Sequence, residues 1–142
     1  NAVAAGDAGV LVRDIVVEAA ASANRAGYFS AEGKRPVKVV QVDGTVKAAV
    51  AGGTLTFDAT KTAADGTETP LASAVNIATL SAHDPTALTF DDAALPQTLA
   101  AGEKIGFVNN GGSGLTANDV TYSVHFKPQL EAGDVIHIHV AG

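Results

Sequence analysis

The chain has 142 residues, enough for one domain with its own core, and no cysteine, which excludes disulfides and thiolate metal sites. Charged residues make up only 17%, below the roughly 25% usual for a soluble domain, while 46% are hydrophobic and 15 are glycine, a balance that suits short strands and many turns. The net charge of −6 is uneven: residues 1–47 carry six basic and five acidic side chains, residues 48–142 three basic and ten acidic, so the longer part repels nucleic acid.

No run of 18 apolar residues is present, so no membrane helix of ordinary length is expected. The chain opens on Asn1 and contains no methionine, for which proteolytic maturation is the expected cause. Residues 1–9, small and with Gly6 and Gly9, read as a flexible arm ahead of a single domain over 10–142. Residues 10–18 are β-branched and read as a strand. Leu11, Arg13, Ile15 and Val17 lie on one face, and Val10, Val12 and Val16 share the other with Asp14 and Glu18. Apolar residues on both faces suggest a strand covered on both sides, one of them by a partner subunit. Residues 19–26 have strong helix propensity with Gly27 as a cap.

The segment 36–42 reads as a strand, Asp43-Gly44 as a hairpin turn and 45–51 as the return strand. Leu55 and Phe57 point inward from the next strand, 60–70 is a polar loop, and Val75, Ile77 and Thr79 alternate in another strand. His83-Asp84-Pro85 makes a turn, Ala87–Phe90 a short strand and Asn109–Gly114 a loop. Val120, Tyr122, Val124 and Phe126 alternate with Thr121, Ser123, His125 and Lys127, and Pro128 closes that strand. Ile136, Ile138 and Val140 point inward from a final strand with His137 and His139 outward. Eight or nine strands in one domain predict an all-β fold, an antiparallel β-sandwich or jelly-roll-like module.

The candidate chemistry is sparse. His137 and His139 stand about 7 Å apart on one strand face, and with His125 on the preceding strand they form a candidate site for Zn²⁺, Fe²⁺ or Cu²⁺. The pattern is similar to the His-x-His of the metal-binding cupins, but Gly133 stands too close to His137 and no glutamate follows in Val140-Ala141-Gly142. The histidines therefore read first as surface or contact residues and second as a metal set. The loops around Asp58, Asp65, Asp91 and Asp92 lack the spacing of a calcium-binding EF-hand. No nucleophile elbow or phosphate-binding loop is present, and with no tryptophan there is little to stack on a sugar. The expectation is no enzyme and no cofactor.

One phrase occurs twice, 31 residues apart: Leu99-Ala-Ala-Gly102-Glu103-Lys-Ile105 and Leu130-Glu-Ala-Gly133-Asp134-Val-Ile136. It resembles the late strands of trimeric jelly-roll heads and of decoration (capsid cement) proteins in tailed bacteriophages. The resemblance implies a non-enzymatic, homotrimeric structural protein of the virion that decorates or stabilises a capsid through protein–protein contacts. Its N-terminal region would be the attachment element, with Leu11, Arg13, Ile15, Val17, Arg25, Lys34 and Arg35 as interface residues and without nucleic-acid or membrane partners. A secreted pilus, surface-layer or adhesin subunit at the cell surface is the alternative, and a metal-binding β-module using His125, His137 and His139 is a third.

Overall fold

The computed structural model describes residues 10–20, 25–30, 36–112 and 114–128. The expected arm at 1–9, the turn with Lys34 and Arg35, and the last strand with His137 and His139 lie outside the described residues. Within them the chain is all-β. The strands are β1 (Leu11–Ala19), β2 (Arg25–Ser30), β3 (Val37–Val46), β4 (Leu55–Thr62), β5 (Glu68–Asn76), β6 (Thr86–Ala87), β7 (Gln97–Leu99), β8 (Lys104–Gly111) and β9 (Asn118–Pro128).

Two antiparallel sheets form a sandwich. The first has the order β1-β9-β3-β6, with β7 also on β3, and the second β2-β8-β4-β5. The pairing is nested: β1 takes β9, β2 takes β8, β3 takes β6 and β7, and β4 takes β5. This is jelly-roll wiring, a long hairpin of strands rolled up so that successive pairs alternate between sheets.

Alternation builds the core. Val120, Tyr122 and Val124 of β9, Leu55, Phe57 and Ala59 of β4, and Ile105 and Phe107 of β8 are fully enclosed. Tyr122 stacks on Phe107 with ring centroids 4.6 Å apart and meets Phe57 at 5.8 Å. One polar side chain sits among them. Asn109 is buried on β8, and its Nδ2 donates to the Val17 carbonyl at 2.9 Å and the Glu18 carbonyl at 3.3 Å, both on β1. Its Oδ1 accepts from the Tyr122 hydroxyl on β9. One amide thus ties the second sheet to two strands of the first, with its bonding capacity met, as a buried amide requires.

Several local expectations yield to tertiary packing. No helix forms at 19–20 or 25–26. Ala19 is an inward residue of β1, and Gly27 of β2 lies so close to the Ile15 and Val17 side chains that a Cβ would stand 2.7 Å from each. No hairpin forms at Asp43-Gly44, because β3 runs straight through it and Gly44 pairs with Tyr122 and with Thr86. Glycine stands there because Leu80 and Leu88 cross over it: a Cβ would lie 2.9 Å from both. The segment 60–70 is mostly strand, turning only over 63–67, where Asp65 accepts from the Thr67 N–H at 2.9 Å. Asn109–Gly111 belong to β8 instead of a loop.

The repeated phrase, in its first copy, is a crossing turn. Leu99 is buried, Gly102 adopts φ +86°, the Ala100 N–H donates to the Glu103 carboxylate at 2.7 Å, and the Glu103 N–H donates to the Ala100 carbonyl at 3.0 Å. The turn carries the chain from β7 in the first sheet to β8 in the second.

Two outcomes test this core. Burial, with the Asp58 charge second, raises the Tyr122 pKa far above its ordinary value. An unfolded chain ionises this phenol as pH passes about 10 while the folded chain keeps its proton. Stability is therefore full below that pH and falls above it by up to about 1.4 kcal/mol per pH unit. Tyr122→Phe should lower stability at pH 7 by about 1–2 kcal/mol, by leaving Asn109 Oδ1 unpartnered, and flatten the alkaline limb of a urea-unfolding series. Gly44→Ala should cost about 1–3 kcal/mol in the same assay by pressing on Leu80 and Leu88, whereas a true hairpin glycine would show no such packing cost.

Candidate interaction surface

The two long sides of the sandwich differ. On the β3/β5 side, residues 86–99 stitch the sheets together. Leu88 N–H donates to the Val42 carbonyl of β3, and Asp92 and Ala93 N–H both donate to the Leu71 carbonyl of β5. The Asp91 and Asp92 carboxylates hold the Ser73 N–H and Oγ, while Asp58 takes the Ala74 N–H at 2.6 Å and the Asn110 amide at 3.0 Å. Ala74 is thereby fixed at φ +49°, a bulge that bends β5 away from regular pairing.

On the β1/β2 side the Asn109 amide of β8 ties the sheets, through the Val17 and Glu18 carbonyls of β1. Among the described residues β1 pairs with β9 alone and β2 with β8 alone. β1 runs nine residues in unbroken register, without proline, lysine or bulge. Of the devices by which sheet edges usually discourage pairing with another chain, it carries charges alone: Asp14 and Glu18 outward and Arg13 inward. The large apolar side chains exposed among the described residues are Val10 (45%), Leu11 (50%), Val12 (55%), Val16 (62%) and Tyr28 (56%), and all five lie on this side. Val10, Val12 and Val16 project from the outer face of the first sheet, Leu11 points toward the open corner between the sheets, and Tyr28 lies on the outer face of the second.

The sequence-chosen interface residues divide. Val17 is buried in the core and Ile15 is partly buried against it. Arg13 turns inward as well, its guanidinium 5.7 Å from the Phe29 ring centroid and 5.9 Å from that of Phe126, capping an aromatic pair 5.0 Å apart. Leu11 is exposed. Arg25 starts β2 and pairs with Asn109. The outward valines complete the surface. Their signal was the mixed parity of 10–18, which placed apolar residues on both faces.

Polar rungs run beside the valines. Ser123 Oγ donates to Asp14 at 2.7 Å, Gln41 Nε2 donates to Asp43 at 2.6 Å, and His125 Nε2 lies 3.0 Å from the other Asp43 oxygen. His125 thus shares a carboxylate with Gln41 on the outside of the first sheet. Among the described residues no three His, Asp or Glu side chains converge as metal ligands. Two clefts at the opposite end, beside Glu18, Lys47 and Asp119 and beside Val50 and Leu115, hold 160 and 120 Å³, below the few hundred Å³ of an ordinary small-molecule site. Among the described residues no helix is long and apolar enough to cross a membrane.

No family model matches the chain, and no curated protein matches it. The described residues form an all-β sandwich with jelly-roll wiring and a cluster of exposed apolar side chains on its β1/β2 side. Arg13→Ala should uncover Phe29 and Phe126 and lower stability by about 1 kcal/mol, through lost stem packing and cation–π contact. Arg13→Lys should recover less than half of that loss in thermal unfolding, whereas full recovery would show that charge alone matters.

Proposed function

We propose that this protein is a non-enzymatic structural subunit that works by protein–protein contact, with β1 as its docking strand. The observation that carries the reading is the concentration of exposed Val10, Leu11, Val12 and Val16 on and beside one long, regular strand whose outer edge is unpaired among the described residues. Soluble proteins seldom leave a contiguous apolar patch on such an edge unless another chain covers it.

The finer reading is decoration or stabilisation of a virion surface as a homotrimer. Its support is the doubled turn phrase, the low charge, and a jelly-roll module whose opposite side is tied shut. The acidic C-terminal two thirds favour a protein partner over nucleic acid. A surface-layer or pilus subunit would use the same edge by accepting or donating a strand. Assembly geometry separates the two: closed trimers favour decoration, and open filaments favour the second.

β1 supplies Val17 and Ala19 to the core, so outward substitutions leave folding intact where removal of the strand would not. The Val12→Asp/Val16→Asp double variant should keep the wild-type circular dichroism spectrum and sediment as a monomer, while the wild-type chain sediments as a closed oligomer. A wild-type monomer, or an oligomer untouched by the double variant, would overturn the reading.

A further inference from the structure

Asn110-Gly111 is the chain's one Asn-Gly pair. It closes β8, on the outer face of the second sheet, where Asn110 pairs with Thr56 of β4. Glycine follows because the Ala20 backbone crosses at that point: a Cβ on residue 111 would run into the Ala20 carbonyl. Packing thus places after Asn110 the residue whose backbone nitrogen is least hindered.

The Asn110 side chain belongs to a local network. Its Nδ2 donates to Asp58 Oδ2 at 3.0 Å, and Asp58 Oδ1 accepts from the Ala74 N–H at 2.6 Å. That bond holds Ala74 at φ +49°, an unfavourable conformation for a residue with a Cβ. Beside it, Ser73 is held by Asp91 and Asp92 of the 86–99 segment. Asn110 therefore supplies the neutral donor that keeps the Asp58 carboxylate in place at the bulge.

We propose that Asn110 is a site of spontaneous deamidation, gated by the fold, whose product unlocks the β5 bulge. The Gly111 nitrogen attacks Asn110 Cγ, the Cγ–Nδ2 bond breaks, and Nδ2 leaves as ammonia with the proton that Gly111 gives up. Water then opens the resulting succinimide at either carbonyl and leaves aspartate or isoaspartate at this position. Ring closure requires the Gly111 nitrogen to lie nearly eclipsed with Cβ about the Cα–C bond. A strand's ψ of about +135° holds the two far apart, so the intact ladder withholds the reaction. It proceeds when the end of β8 opens, which breaks the pairing with Thr56 and the bond from the Gly112 N–H to the Thr54 carbonyl at 2.7 Å. Asn109, buried and bonded to β1 and β9, halts that opening one residue further on.

The product acts on Asp58. Two carboxylates now meet where a carboxylate met its donor, and like charges so placed repel. Isoaspartate also adds a carbon to the β8 backbone and breaks its register with Thr56. By either route Asp58 parts from the Ala74 N–H and the bulge relaxes. Ammonia escapes to solvent, so the change runs one way and the site records the age of the molecule.

The inference does not rest on the docking role of β1. Peptide mapping by mass spectrometry of the full chain, held at mildly alkaline pH, tests the gate. In unfolding urea Asn110 should convert at the rate of an open chain. In the folded chain it should convert about ten- to a thousandfold more slowly, and urea too dilute to unfold the whole domain should speed it. Conversion that follows global unfolding alone, or none in the folded chain, would overturn the proposal. Hydrogen exchange tests the consequence. In Asn110→Asp the Ala74 amide should exchange about tenfold or more faster than in the wild type. Adding Asp58→Asn reverses the pair, because the new amide still accepts from Ala74 and now donates to the new carboxylate, so slow exchange should return. Unchanged Ala74 exchange in Asn110→Asp, or no recovery in the double variant, would overturn the proposal.

Discussion

The structure depends on one fully buried amide, that of Asn109. Asn109 belongs to the second sheet, yet its side chain is bonded to β1 and β9 of the first, through two carbonyls and the Tyr122 hydroxyl. Hydrophobic packing between sheets is non-directional and tolerates sliding. A hydrogen-bonded amide in a dry interior does not, because leaving any of its groups unpaired costs about 1–3 kcal/mol. The register of the two sheets is therefore set at this point, and β1, an edge strand, is anchored near its C-terminal end at Val17 and Glu18. Its other end is left to Arg13 on two aromatic rings and to the exposed apolar residues beyond. The surface proposed for docking is the part of β1 that the anchor does not reach.

Much of the core was legible because alternation is a local property. Val120 to Phe126 and Leu55 to Phe57 read correctly from spacing alone, and so did Ile105 and Phe107. Asn109 continues the parity of Ile105 and Phe107, and a polar residue at an inward position was the available signal of a buried network. Its partners lie 13 to 92 residues away, so nothing local identified them. The same distance effect explains Asp43-Gly44. The dipeptide has the chemistry of a tight turn, but the reason for glycine is the passage of Leu80 and Leu88 overhead. Ala19 favours a helix by intrinsic propensity, a preference of tenths of a kcal/mol that burial in the sandwich overrides.

The surface was legible in part. Apolar residues on both faces of 10–18 predicted a covered strand, and β1 has an unpaired edge among the described residues. The face that meets solvent was less accessible to sequence reasoning. Arg13 reads as an exposed charge but folds inward, because its long stem and planar head cover the Phe29–Phe126 pair better than water does. Carboxylates show the converse. Asp14, Asp43, Asp58, Asp91 and Asp92 resemble a diffuse acidic surface, and each accepts a hydrogen bond that fixes a strand, bulge or loop.

Nested pairing also sets the order in which the molecule can be made. β1 leaves the ribosome first among the strands, and its partner β9 follows about a hundred residues later, with Asp14 waiting for Ser123 across 109 positions. At synthesis rates of about 5–20 residues per second, that interval is roughly 5–20 s. For that time the valines of β1 have no sheet to join in their own chain, whereas β4 and β5 can pair almost at once through the turn at 63–67. On a polysome, neighbouring nascent chains expose the same strand at high local concentration. The wiring that places β1 at a sheet edge therefore also gives its synthesis a period in which chains can exchange that strand.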